Sequence, residues 1–437
     1  MDKKLKVGFV TPHNFHNYDP FRIQPLNILH FLTIIENHFG DGVETSLVDL
    51  RTIPEKDILY YISEKDVYFY SVTSLEYLEI IRTVNEIRKV YPKSKHVAGG
   101  IHINIYPKES EKHFDAIALG DGENTIINVI NDVKNDTLQK VYIEKNVLDI
   151  NLFPHPDRKF LPRKSVVNTG LLNGEYYNLL STSVLFSRGC PFNCSFCANL
   201  IQSKSRFRSP ELITKEIEYL KNMYDINALA IKDDNIISSN VKCSIDTLNA
   251  IKSTEIKWRG NSRANHISEE VIKLAKESGC VDLAIGIESI SQNVLNNINK
   301  RLDLNKAKIF LGYLKKHEIG IRLNIIMGLP GEPKDIVEKT IKFIEEIGPS
   351  SVLLSLLTPV PGSDIFENAE KYGIIFDKKT PFNKLFSIFG RFDENEKLDM
   401  VFEYKKITPF GESMSNEEIL SNYMFIQKYL RDNKLNF

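Results

Sequence analysis

Ser187-Arg188-Gly189-Cys190-Pro191-Phe192-Asn193-Cys194-Ser195-Phe196-Cys197 carries three of the five cysteines of a 437-residue chain. Three residues separate the first pair and two the second. A tight loop with that spacing turns three thiolates toward one inorganic centre. Soft thiolates select zinc, copper(I) or iron–sulfur clusters. Structural zinc takes four protein ligands, and no further Cys or His lies nearby in the sequence. Three thiolates suit a [4Fe–4S] cluster whose remaining iron stays open to another ligand. Clusters commonly take four thiolates, so the missing one is informative. The bland alternative is three buried thiols crowded into one turn.

Cys190, Cys194 and Cys197, with Phe196 before the last, resemble the signature of the radical S-adenosylmethionine (SAM) superfamily. The resemblance implies that these cysteines are cluster ligands and catalytic residues. The open iron is then chelated by SAM, which the reduced cluster cleaves to a 5′-deoxyadenosyl radical.

At this length the chain has room for two or three domains. Hydrophobic residues make up 42% of it, enough for a sizeable core. Lys+Arg number 56 and Asp+Glu 57, for a net charge of −1, with no basic excess to attract nucleic acid. The start, MDKKLKVGFV, runs into a strand too soon for a signal peptide. No run of about 18 apolar residues suggests a membrane span. The cysteine usage suits a reducing cytosol, so a cytoplasmic protein is expected. Cys243 and Cys280 fall in helix-like segments and read as buried thiols.

Residues 1–150 alternate strand and helix. Strands are expected at Lys6–Val10, Glu44–Asp49, Val67–Val72, His96–Ala98 and Ala116–Leu119. Helices are expected at Pro25–Phe39, Lys56–Ile62, Tyr77–Val90 and Asn124–Asp132. The pattern predicts a doubly wound, Rossmann-like parallel sheet. Such sheets bind ligands beyond the carboxyl ends of their strands. Those ends carry Ser71, Thr73 and Ser74, then Gly99, Gly100 and His102, then Gly120 and Glu123. Ordinary turn glycines explain each cluster equally well.

The order of these phrases, with Pro25 to Leu32 ahead of them, is similar to the cobalamin-binding domain of many radical SAM enzymes. The resemblance implies that these eight residues face cobalamin. No histidine follows an Asp at the spacing of the cobalt-ligating Asp-x-His-x-x-Gly phrase, so a histidine lower ligand is not expected. Residues 1–189 hold no cysteine, which excludes the methylthiotransferase pattern of a second cluster.

Pro154, Pro156 and Pro162 mark residues 151–180 as a linker. The family has a phrase similar to Pro154-His155-Pro156-Asp157-Arg158 here. Residues 181–375 then give six strand–helix units. The strands expected are Ser183–Ser187, Ala228–Lys232, Lys257–Asn261, Leu283–Ile287, Ile321–Met327 and Ser351–Leu357. The helices include Pro210–Tyr224, Val241–Ser253, Ser268–Ser278, Ala307–His317 and Lys334–Ile347, with Ser209 and Ser268 as caps. The alternation fits an open sheet or a barrel alike. The resemblance implies a partial (β/α)6 barrel with its site at the strand carboxyl ends.

Those ends carry Asp233-Asp234, Arg263, Glu288-Ser289 and Gly328. The resemblance assigns them to SAM: carboxylates toward the ammonium, Arg263 toward the carboxylate, and Gly328-Leu329-Pro330-Gly331-Glu332 against the adenine. A helix cap for Asp234 and a surface ion pair for Arg263 are the plain alternatives. Residues 376–437 form a short α-rich tail. It holds Phe382, Phe386, Phe389, Phe392, Phe402 and Tyr404 and a helix from Asn416 to Arg431, expected to pack or to cap a substrate.

The resemblance implies a cobalamin-dependent radical SAM methyltransferase. It would act on an unreactive carbon through the 5′-deoxyadenosyl radical and methylcobalamin, with a flavodoxin or ferredoxin as electron donor. The substrate is not written in the sequence. A radical SAM enzyme that uses the first sheet only as scaffold, and a non-catalytic metal-binding protein, are the alternatives.

Overall fold

The structure is a computed structural model that describes residues 4–14, 19–198, 205–265, 268–381 and 400–436. The chain divides into two compact units. One ends at Val166; the other runs from Val167 to Thr380 and again through the C-terminal residues.

In the first unit the strands are β1 (Leu5–Thr11), β2 (Val43–Asp49), β3 (Val67–Ser71), β4 (Lys95–Gly99), β5 (Ala116–Leu119) and β6 (Val141–Ile143). Between them lie helices α1 (Leu26–Phe39), α2 (Ile58–Tyr61), α3 (Tyr77–Val90), α4 (Ile101–Ile105) and α5 (Glu123–Lys134). The six strands pair in parallel in the order β2-β1-β3-β4-β5-β6. Side chains alternate across each strand, and both faces are apolar. Phe9, Phe69 and Val97 pack under Ile28, Leu32 and Ile35 of α1 and Ile126 and Val129 of α5. Tyr68, Tyr70 and Ala98 face Ile80, Val84 and Ile87 of α3. Burial on both faces is what makes these strands read as unbroken apolar runs.

Two expectations change here. The helix expected over Lys56–Ile62 shrinks to a 3-10 turn and the four residues of α2, whose Tyr60 and Tyr61 stand exposed. Too few of its side chains are buried to carry a longer helix. The sixth strand, β6, went unread because it is a three-residue edge with no buried residue.

Gly120, at the carboxyl end of β5, has φ 85, and a Cβ there would run into the Glu144 carbonyl just past β6. Gly40 has φ 51 but open space around it. Gly120→Ala is therefore expected to destabilise the protein by about 2–4 kcal/mol and Gly40→Ala by about 1. Urea midpoints measure the difference. Equal losses would show that the segment after β6 yields freely.

Residues 151–166 pack with this first unit. Arg158 is fully buried, Asp157 N–H donates to Thr33 at 2.9 Å, and Gln24 donates to the Val166 carbonyl at 3.0 Å.

The second unit contains β7 (Ser181–Val184), β8 (Ala228–Ile231), β9 (Lys257–Ser262), β10 (Cys280–Glu288), β11 (Gly320–Met327) and β12 (Ser351–Leu356). They pair in parallel in chain order. That order is barrel winding, and its end strands β7 and β12 bridge to Asn168 and Asn436. The helices are α6 (Pro210–Tyr224), α7 (Val241–Lys252), α8 (Glu269–Glu277), α9 (Gln292–Asn297), α10 (Leu304–Lys316), α11 (Ile336–Ile347) and α12 (Asn416–Asp432). Ser209 caps α6 by accepting from Leu212 N–H, while Ser268 makes no such bond to α8.

Leu229, Trp258, Leu283, Ile285, Leu323, Ile325 and Leu354 point outward into the helices. The alternate positions Ser183, Arg259, Asn261, Asp282, Arg322 and Asn324 point inward, so the barrel interior is polar.

Cys280 opens strand β10 rather than a helix and is buried; Cys243 lies on α7 but is half-exposed. The tail is part of the barrel. Ile419, Tyr423, Ile426 and Leu430 of α12, with Phe402, share its main core. Phe382, Phe386, Phe389 and Phe392 lie outside the described residues.

Candidate functional site

The cysteine loop leaves the carboxyl end of β7. The expected strand over Ser183–Ser187 breaks after Val184, and Ser187–Arg188 pairs separately with Arg206–Phe207. Asp233, just past β8, closes the break. Its carboxylate accepts from Phe186 N–H at 2.7 Å and from the Ser187 hydroxyl at 2.6 Å. Burial pushes its pKa up to about 7, against the pull of those bonds. Both oxygens thus hold the loop entry, and the side chain is buried there. Asp234 beside it is exposed at its tip, yet the surrounding protein still raises its carboxyl above the usual range.

Of the three loop cysteines, Cys194 is buried, Cys190 half-buried and Cys197 exposed. Two sulfurs already receive donors. Arg263 Nη1 lies 3.2 Å from Cys194 Sγ, and Asn235 Nδ2 lies 3.4 Å from Cys190 Sγ. Burial raises the Cys190 thiol and Asp234 adds to it, while the Phe192 amide and Arg263 pull the other way.

Arg263 is nearly buried, with its guanidinium 3.8 Å above the Phe192 ring and Nη2 on the Lys300 carbonyl. Each terminal nitrogen has one partner inside the loop, and Nε has none among the described residues. The expected surface alternative fails, because the side chain is inside. Among the described residues no three His, Cys, Asp or Glu side chains converge on one metal ion. A cluster gives each thiolate its own iron and needs no such convergence, so the donor set fits a cluster better than a mononuclear ion.

Glu288 ends β10 at a register shift against β11, with φ 68 and a buried carboxylate 2.7 Å from Lys300 Nζ. Ser289 is buried next to it. Lys300 escaped the sequence reading, because nothing local ties it to a glutamate twelve residues earlier.

Gly328 ends β11 with φ 81. Its N–H donates to Glu332 at 2.8 Å and its carbonyl accepts from the Tyr404 hydroxyl at 2.8 Å. Gly328 is buried, and its Cα packs toward Ile419, Leu357 and Met400. Burial pushes Glu332 up to about 8.

In the first unit the predicted residues separate into two groups. His102 and Glu123 are buried. The His102 ring meets Ser74 Oγ at 2.9 Å and packs 3.9 Å from the Tyr77 ring; Glu123 pairs with His30 at 3.2 Å. Ser74 is buried with them. These three shape the loops and do not reach their surface. Ser71, Thr73, Gly99, Gly100 and Gly120 remain partly or fully open along the carboxyl edge. Asn27, which donates to Ser71, and Asn104, which ties Gly100 to Gly120, stand with them. Apart from Glu76, which accepts from Thr73, and Asp121 beside Gly120, this edge consists of small donors and acceptors, a set that fits a large amide-bearing ligand such as cobalamin. Neither Asn27 nor Asn104 carried a motif that could have flagged it.

The family model described as the radical SAM superfamily matches residues 184–344. An uncharacterized methyltransferase of Pyrococcus horikoshii is 30% identical over 292 residues, which are 62% of this chain and 62% of that protein. The bacteriochlorophyllide d C-8(2)-methyltransferase of Chlorobaculum tepidum is 23% identical over 411 residues, 91% of this chain and 84% of that one. Among solved structures, the radical SAM methyltransferase TsrM of Kitasatospora setae, with cobalamin and a [4Fe–4S] cluster bound, superposes with TM-score 0.71 at 15% identity. That match covers 97% of this chain and 89% of TsrM. No helix among the described residues is long and apolar enough to cross a membrane.

Proposed function

We propose that this chain, whose residues 184–344 match the radical SAM family model, is a cobalamin-dependent radical SAM methyltransferase acting on an unreactive carbon. The observation that carries the reading is the three-cysteine loop at the mouth of the barrel, with Arg263 and Asn235 already donating to two of its sulfurs. When bound, the cluster supplies the electron that cleaves SAM, and cobalamin carries the methyl group. Cys190, Cys194 and Cys197 hold the cluster. Asp233 and Arg263 hold the loop that presents it. Asp234, Glu288, Ser289 and Phe196 face SAM, and Gly328 lies against its adenine. Ser71, Thr73, Gly99, Gly100 and Gly120 seat the cobalamin; His102, Ser74 and Glu123 keep those loops in shape. In the cytoplasm, a flavodoxin or ferredoxin is the electron donor.

One observation favours a second reading, in which the first sheet is only a scaffold. Gly100 and Gly120 are each required by close approach of the chain's own backbone, at Val72 and Glu144. The test is anaerobic. The cluster is reconstituted, hydroxocobalamin, reductant and SAM are added, and S-adenosylhomocysteine and 5′-deoxyadenosine are quantified with and without cobalamin. Both products, with the first needing cobalamin, are expected. Deoxyadenosine alone, indifferent to cobalamin, selects the scaffold reading.

A further inference from the structure

One short stretch fastens the cysteine loop. Ser195 N–H donates to the Ile298 carbonyl at 2.9 Å. Asn299 Nδ2 donates to the Asn193 carbonyl at 3.0 Å and to its side-chain oxygen at 2.8 Å. The Arg263 guanidinium donates to the Lys300 carbonyl.

Lys300 is the centre of this stretch. It is 4% exposed, with Nζ 2.7 Å from Glu288 Oε1 and 5.8 Å from the Phe196 ring centroid. Gly286 leaves room for the pair: a Cβ there would collide with Glu288 Oε1 and stand 2.9 Å from Lys300 Nζ. The backbone is left-handed at Glu288, Asn299 and Arg301, with φ 68, 52 and 50. Left-handed non-glycine residues are costly. A buried ion pair seldom recovers its own desolvation cost. Neither feature is therefore explained by stability. Both are explained by charge buried against the thiolate loop at Phe196, where the low dielectric makes each charge count.

We propose that Lys300 is a positioning residue for the thiolate loop that also raises the reduction potential of its iron–sulfur cluster. Its carbonyl turns Arg263 onto Cys194. Its ammonium offsets Glu288 and sets a buried positive charge against Phe196, next to Cys197. Reduction adds one electron to the cluster, so a nearby cation stabilises the reduced form; net charge and hydrogen bonds to sulfur are known to set such potentials. The inference rests on the reading that these thiolates carry a cluster.

The test uses the full chain as wild type, Lys300→Met, Lys300→Arg, Glu288→Gln and the Glu288→Gln/Lys300→Met double variant. Each is reconstituted anaerobically, assayed for iron and sulfide, and titrated with dithionite under EPR. Lys300→Met is expected to disfavour reduction about tenfold, a drop of about 59 mV for one electron. Glu288→Gln is expected to shift the potential upward by a similar amount. The double variant, which removes one charge of each sign, returns near wild type, and Lys300→Arg stays there. Opposite signs from the two single variants are a signature that a purely structural role does not produce. Shifts of one sign in every variant, or potentials that stay put while iron content falls, overturn the proposal. If Lys300→Met fails to fold, Glu288→Gln and Lys300→Arg still decide it. A wild type that takes up no iron and sulfide overturns the underlying reading as well, and is distinguishable on that count.

Discussion

Cys194→Ala is expected to yield a folded protein that holds no intact cluster and cleaves SAM at background, a loss of at least about a thousandfold. Cys194 is the most buried of the three thiols and the one that Arg263 reaches. Removing its sulfur takes away a ligand and leaves a buried guanidinium facing a gap. The loop should survive, because its anchors are elsewhere: Asp233 at its entry, the bond from Ser195 N–H to the Ile298 carbonyl, and the bond from Asn299 Nδ2 to the Asn193 carbonyl. Cys243→Ala, on half-exposed α7, is the control and should match wild type. Iron and sulfide content, the visible absorption of the cluster and deoxyadenosine yield are the measurements. Retention of full cluster and cleavage by Cys194→Ala would mean that this loop is not where SAM chemistry occurs.

Glu332→Gln is expected to remove a pH dependence of stability that wild type carries. Glu332 is buried, and Gly328 N–H donates to one oxygen while the other has no partner among the described residues. Burial raises its pKa to about 8 from 4.5. Between those values the folded chain binds one proton more than the unfolded chain. The associated stability is complete below the unfolded pKa and is lost as pH rises through the folded one. The slope is about 1.4 kcal/mol per pH unit, so roughly 4–5 kcal/mol disappears from this group by pH 8. Asp233, raised to about 7, tilts stability the same way over a lower range. Urea midpoints of both proteins at pH 5, 6.5 and 8 measure the effect. Glutamine should match wild type at pH 5 and exceed it at pH 8. Parallel profiles would mean that Glu332 is ionised in the folded protein.

The cluster loop and the strand–helix order were legible from the chain alone, for a local reason. Cysteine spacing acts over eight residues, and apolar runs bounded by glycine, proline or serine form strands and helices wherever the chain places them. Glu288 stands out in the sequence as a polar group at the end of an apolar strand, whereas Asp233 and Arg263 are singled out there by resemblance to the family's strand ends. Their partners were hidden. Which strand lies beside which decides that Asp233 spends its carboxylate on Phe186 and Ser187, that Arg263 points at Cys194 rather than outward, and that Lys300 comes to rest on Glu288. The choice between barrel and open sheet is also tertiary, because it depends on β7 to β12 pairing in chain order. So is the sixth strand of the first sheet, a partly exposed edge that only Ile117, Ala118 and Leu119 could select. Short-range spacing thus determined what chemistry the chain carries. Long-range pairing, which costs chain entropy that no local pattern records, decided which residues face a ligand and which hold the others in place.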